Sequence, residues 1–327
     1  MLKKLVLAVI GAVVVIGAGV YAAFQLSPWP SVLLIRHSFH KGSAELAASI
    51  APLVPKVSAQ RDLSYAPGDR DALLDVFAPV DAQGLLPAVV WIHGGGFIGG
   101  SRSDLSGNLQ ILAARGYVTI AIDYSTAPEA RFPTPLRQTN AALAYIVANA
   151  KRFNIDPERI FLAGDSAGAQ IAAQTALIIS DANYARRMGI DPGVARASLR
   201  GVVLFCGFYE PISMDLAPFD DFMRTMIWSY IGTRNPRDAR VAGMSVTPYV
   251  TAAYPPTFIS VGNADALAPE SVALVEALRA QHVEVDALFF PSDHNPPLDH
   301  EYQLALWTDA GRLALERTIT FLTAHAK

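Results

Sequence analysis

The run Ile160-Phe161-Leu162-Ala163 leads into Gly164-Asp165-Ser166-Ala167-Gly168, and a small-residue segment, Ala169-Gln170-Ile171-Ala172-Ala173, follows it. A short apolar run bounded by a glycine reads as a buried strand, and the alanine-rich stretch as a closely packed helix. A serine between two glycines at such a junction sits on a turn too tight for flanking side chains. The turn lifts the Ser166 hydroxyl clear of the backbone and into a cleft. The pentapeptide alone is common. Its meaning depends on whether the chain also supplies a base, a carboxylate to orient that base, and amide donors.

Working outward, strand-like runs fall at 57–61, 73–77, 88–92 and 117–122 before the pentapeptide, and at 201–205, 257–261 and 283–290 after it. Helical stretches separate them: 109–115, closed by Gly116, then 140–153, a segment reaching about Ser180, 269–280, and a last helix to about Ala324. Apolar strands alternating with helices predict an α/β fold with a mostly parallel sheet and helices on both faces. One long irregular segment, about 210–254, interrupts the alternation. It carries Phe219, Phe222, Met223, Met226, Ile227, Trp228 and Tyr230, and is expected to form a small cap insertion over the cleft. The expected division is therefore an N-terminal segment 1–26, a linker and lead-in 27–60, and a catalytic domain 61–327 holding the cap.

The 327 residues carry a net charge of −3 with Lys and Arg scattered, which gives no basic footprint for nucleic acid. The single cysteine, Cys206, excludes an internal disulfide and a multi-cysteine metal site. It ends the apolar run Val202-Val203-Leu204-Phe205 and is read as core packing rather than as a catalytic thiol. At the other extreme of polarity, Met1-Leu2-Lys3-Lys4 precedes twenty uncharged residues, 5–24. A helix of that length covers the roughly 30 Å hydrocarbon core of a bilayer. Lysines ahead of it favour a cytoplasmic N-terminus, hence a single-pass anchor with an extracytoplasmic catalytic domain. The competing expectation is a cleaved signal, Val20-Tyr21-Ala22 resembling a cleavage site, which would leave a secreted or periplasmic protein. Ser27-Pro28-Trp29-Pro30 breaks the helix, and 31–60 reads as an amphipathic helical lead-in ending at Pro52 and Pro55, with His37 and His40 on the surface.

A serine hydroxyl is a poor nucleophile until a base takes its proton, and a histidine base needs a carboxylate to fix its tautomer. Such groups sit beyond the carboxyl ends of parallel strands. Asp265, in Gly262-Asn263-Ala264-Asp265, is so placed, and His294 and His300 both follow the next strand. Upstream, His93-Gly94-Gly95-Gly96-Phe97 directly follows Trp91-Ile92. Its glycines let amides approach a substrate oxygen, and no Gly-Lys-Ser/Thr follows to make it a phosphate loop. Asp293-His294 and Asp299-His300 have no further ligands nearby in sequence, so no metal site is expected.

Together, His93-Gly94-Gly95-Gly96, Gly164-Asp165-Ser166-Ala167-Gly168 and Asp123-Tyr124-Ser125-Thr126-Ala127-Pro128-Glu129 resemble the hormone-sensitive-lipase-like branch of the α/β-hydrolases over roughly residues 70–325. Thr126 stands where that branch has leucine. The resemblance implies an α/β-hydrolase fold and a serine carboxylesterase or lipase-like enzyme that uses neither metal nor organic cofactor and acts on small-molecule esters. It makes Ser166 the nucleophile and Asp265 the orienter, with Gly95, Gly96 and Ala167 lining the oxyanion hole, Gly94 shaping the turn and His93 bracing the loop. His300-Glu301-Tyr302 looks like the branch's start to its final helix and favours His300 over His294 as base. The same triad would serve a deacetylase, thioesterase or amidase. A membrane-tethered binding protein on a retired hydrolase fold is the reading outside catalysis.

Overall fold

The structure is a computed structural model and describes residues 1–212 and 220–327, so Phe219 of the expected cap lies outside the described residues. Its centre is an eight-stranded sheet of β1 (Ser58–Ser64), β2 (Leu73–Ala78), β3 (Leu86–Ile92), β4 (Val118–Ile122), β5 (Ile155–Asp165), β6 (Leu199–Phe205), β7 (Thr257–Val261) and β8 (Val285–Phe289). The order is β1-β2-β4-β3-β5-β6-β7-β8. β1 pairs with β2, and β2 with β4, antiparallel; every other pairing is parallel.

Side chains alternate across a strand, and β3 shows what each face meets. Val90 and Ile92 enter one core with Leu136, Leu143, Ile171 and Leu274, while Val89 and Trp91 enter the other with Leu109, Leu112, Phe321 and Leu322. The first face is covered by α4 (Thr134–Ala148), α5 (Ala167–Ser180) and α8 (Ala268–Ala280); the second by α3 (Ser106–Ala113) and α9 (Asp309–His325). Both faces being covered is why the central runs 88–92, 160–163 and 202–205 are continuously apolar rather than alternating. α4 starts earlier than its apolar pattern suggests. Pro135 fits the first turn of a helix, where its missing N–H leaves nothing unpaired. α6 (Ala182–Met188) is a short helix not apparent in the pattern, capped by the Asp181 side chain at the amides of Asn183 and Tyr184.

Two elements stand above the carboxyl edge of the sheet. α7 (Asp220–Ile231) belongs to the irregular segment. α2 (Trp29–Ile50), expected as a lead-in, docks beside it through Arg36, which donates to the carbonyl of Ile98 at 2.6 Å and pairs with Glu129 at 2.7 Å. Ahead of α2, α1 (Leu2–Leu26) has no buried residue. It is the one helix among the described residues long and apolar enough to cross a membrane, and a signal segment would pass the same test.

Candidate active site

β5 delivers Ser166 to the middle of the carboxyl edge. Register pairs Ile92 with Gly164 and Asp165 with Phe205, so the loops after β3 and β6 flank the serine. Ser166 adopts φ 51° and its amide donates to the Phe205 carbonyl at 2.8 Å. Such a left-handed turn is strained for a residue with a side chain and holds only because both flanks are packed. At Gly168 a Cβ would stand 2.0 Å from the Ile92 carbonyl oxygen, so the helix can approach β3 only with glycine there.

The loops after β7 and β8 bring the remaining groups. His300 Nε2 lies 3.0 Å from Ser166 Oγ, and Nδ1 lies 2.8 Å from Asp265 Oδ2. The other Asp265 oxygen accepts from the Leu267 amide at 2.8 Å, which fixes the buried carboxylate. His294 is turned elsewhere: its ring rests on Phe290, centroids 4.6 Å apart, and its carbonyl accepts from Asn263. Gly95, Gly96 and Ala167 border the cavity above Ser166. Ala167 opens α5, where a helix leaves its first amides unpaired.

The glycine loop rests on His93, as expected, and on Asp165, to which the sequence assigned no role. Asp165 is buried and accepts from the Gly94 amide at 2.9 Å and from the Trp91 indole at 2.7 Å. It also shares a hydrogen bond with Glu301. Burial, and then the Glu301 carboxyl, push Asp165 well above the ordinary carboxylate range. His93 stacks on Tyr124 with centroids 4.3 Å apart, its Nδ1 lies 2.8 Å from the Gly94 carbonyl, and Tyr124 donates to the His93 carbonyl. Asp123 holds Arg102, so the Asp123–Glu129 segment fastens both the glycine loop and, through Glu129, α2.

Cys206 is not a strand residue. It follows β6 in a left-handed turn, φ 42°, with its sulfur beside His300. Burial pushes its thiol up to about 11, so it faces the imidazole as a neutral S–H. Burial draws the His300 imidazole down, but Cys206, Asp265 and Glu301 outweigh it and hold the group well above the usual histidine value. Asp265, bonded at Nδ1, and the nearby Glu301 carboxyl both favour the imidazolium. Among the described residues, Cys206, Asp265 and His300 also form the one group with metal-ligand spacing, donor atoms lying within 4.8 Å of one another. Asp265 and His300 are already engaged with each other and with Ser166, so the hydrogen-bonded relay accounts for the cluster.

The cavity above Ser166 measures about 700 Å³ and is mainly apolar at its roof, with Phe39 and Leu46 from α2 and Phe222, Met223 and Met226 from α7. A serine, histidine and carboxylate in a relay at the carboxyl edge of a mostly parallel sheet define a serine hydrolase site. A family model for the alpha/beta hydrolase fold matches residues 89–294, and the chain belongs to that family. It is 32% identical over 222 residues to an esterase, LipC, of Mycobacterium tuberculosis, covering 65% of this chain and 54% of that protein. An acetyl esterase of Salmonella choleraesuis is 28% identical over 229 residues, 67% of this chain and 68% of its own. Among solved structures, esterase B from Lactobacillus rhamnosis, inhibited by a tributyrin phosphonate, superposes with a TM-score of 0.77 at 24% identity, covering 90% of this chain and 96% of that one. The chain thus spans only about half the length of the mycobacterial relative it matches.

Proposed function

We propose that the protein is a serine carboxylesterase that hydrolyses small-molecule esters through an acyl-enzyme on Ser166. The observation that carries the reading is the unbroken relay from Ser166 Oγ through His300 to Asp265, at 3.0 and 2.8 Å. His300 Nε2 accepts the hydroxyl proton as Oγ attacks the ester carbonyl. Asp265 remains ionised and holds the Nδ1 proton, which fixes the tautomer and stabilises the imidazolium. The carbonyl oxygen becomes an anion facing the amides of Gly95, Gly96 and Ala167; one such donor is typically worth about 3–4 kcal/mol in the transition state. Collapse of the intermediate breaks the ester C–O bond, and the imidazolium returns its proton to the leaving alcohol. Water then gives a proton to the same nitrogen as it attacks the acyl carbonyl. Collapse of that second intermediate breaks the acyl C–Oγ bond, the imidazolium returns its proton to Oγ, and the acid leaves with Ser166 regenerated. The esterase names of the relatives support the bond class, and the apolar roof supports an apolar acyl or alcohol group.

In the same reading α1 is an uncleaved single-pass anchor, residues 27–60 join it to the body, and the catalytic domain, 61–327, lies on the extracytoplasmic side. The absence of any buried residue in α1 and the lysines ahead of its apolar run support this.

A fluorophosphonate probe tests the nucleophile. It should modify the folded protein at Ser166, and Ser166→Ala should lose both the label and roughly 10⁵-fold in kcat on p-nitrophenyl butyrate. A folded wild-type chain that takes no label ends the esterase reading.

A further inference from the structure

We infer that the cavity above Ser166 opens at a membrane surface and receives esters whose acyl chains are already dissolved in that bilayer. This rests on the esterase and anchor readings above and adds the substrate class.

Two separate ties join the end of α1 to the roof of the cavity. The first is covalent. Only Ser27 and Pro28 separate α1 from α2, so the start of α2 lies within about 10 Å of the end of the apolar helix. Trp29, Leu33 and Leu34, on the first turns of α2, are 40%, 58% and 64% exposed. A tryptophan and two leucines left in the open at that position match the headgroup and upper acyl region of a bilayer. Further along the same helix Phe39, Gly42 and Leu46 border the cavity. At 1.5 Å rise per residue Phe39 is about 15 Å from Trp29, a short step from the interface.

The second tie is Arg234, just beyond α7. Its guanidinium donates to the carbonyls of Phe24 and Gln25, where a helix leaves its last carbonyls unpaired, and stacks 3.9 Å from the Trp228 ring centroid. α7 holds Phe222, Met223 and Met226 over the cavity. Both elements of the roof are thereby fastened to the point where α1 leaves the bilayer. Trp307, 46% exposed, continues the apolar lining at the cavity's rim.

A long acyl chain that crosses water to reach a catalytic serine must expose every methylene on the way. A cleft roofed by apolar side chains and tethered at the interface spares it that crossing. Entry is then limited to molecules that share the enzyme's own membrane.

The test uses the full chain in phosphatidylcholine vesicles. p-Nitrophenyl palmitate is supplied either in the same vesicles as the protein or in separate protein-free vesicles, and water-soluble p-nitrophenyl acetate reports catalysis in both. The same-vesicle rate should exceed the separate-vesicle rate by at least about 10-fold, the acetate rate being equal. Arg234→Ala should narrow that ratio and leave acetate hydrolysis unchanged. Equal palmitate rates with normal acetate turnover overturn the inference, as does protein that fails to float with the vesicles. Loss of acetate turnover in the wild-type chain instead overturns the esterase reading itself.

Discussion

The floor of the cleft is joined by directional bonds. Ser166, His300 and Asp265 are linked at 3.0 and 2.8 Å, and the glycine loop hangs from Asp165 at 2.9 Å. Across the cavity, Phe39 of α2 and Phe222 of α7 meet edge to face with ring centroids 6.1 Å apart, a contact that many neighbouring geometries would satisfy. Chemistry needs the first kind of construction, because a proton moves only along a short, aligned hydrogen bond. Selection of an acyl chain needs only the second, since apolar contact is non-directional. Damage to the floor should therefore appear in kcat, and damage to the roof in KM and chain-length preference.

The sharpest way to break that contrast is Asp265→Asn. The substitution keeps the shape and removes the acceptor that fixes the His300 tautomer, so kcat should fall by roughly 10⁴-fold with KM little changed. Steady-state kinetics on p-nitrophenyl butyrate measure both. A loss below 10-fold would place the orienting group elsewhere.

A smaller effect belongs to the roof. Phe222 borders the cavity and stands where any Cβ on Gly96 would come within 2.7 Å of its ring. Phe222→Ala should raise KM for octanoate esters by about 10-fold, the scale of a few lost methylene contacts, while acetate esters keep their kcat. Equal losses on both esters would show that the ring positions the glycine loop rather than the substrate.

The same contrast explains what could be read from the chain alone. The elbow, the glycine loop and Asp265 are legible because each needs particular residue types within a few positions of a strand end. His300 was separable from His294 only through the residues after it, since both follow the same strand. The roof was half legible. The aromatic cluster with Phe222 pointed to α7, but α2 earns its place through Arg36 and Glu129, 93 residues apart, and no local pattern announces such a pairing. Asp165 lay inside the quoted pentapeptide, yet its task depends on Trp91, 74 residues away. Cys206 packs in the core as its apolar run implies, but its place beside His300 is not legible, for a related reason. An apolar run does not reveal where its backbone turns, and the turn past β6 leaves the buried sulfur beside His300.

Glu301 offers the smallest and most discriminating change. Its Oε1 lies 3.8 Å from His300 Nε2, on the side where Asp265 does not reach, and its carboxyl also bonds Asp165. The groups facing the imidazole are thus Asp265 and Glu301, with Asp165 behind Glu301 and the neutral Cys206 thiol alongside. Catalysis requires the neutral imidazole. A pKa held well above the usual histidine value therefore puts the acid limb of kcat/KM above the pH at which a free histidine would place it. The folded state also favours the imidazolium, so this group's contribution to stability is complete below about pH 6.5 and is lost as pH rises through the raised value. Glu301→Gln keeps a hydrogen-bonding partner for Asp165 and removes the charge. The acid limb should then move to lower pH, with kcat on the plateau nearly unchanged. An unmoved limb would leave Asp265 alone to set the imidazole, and Glu301 as packing beneath the glycine loop.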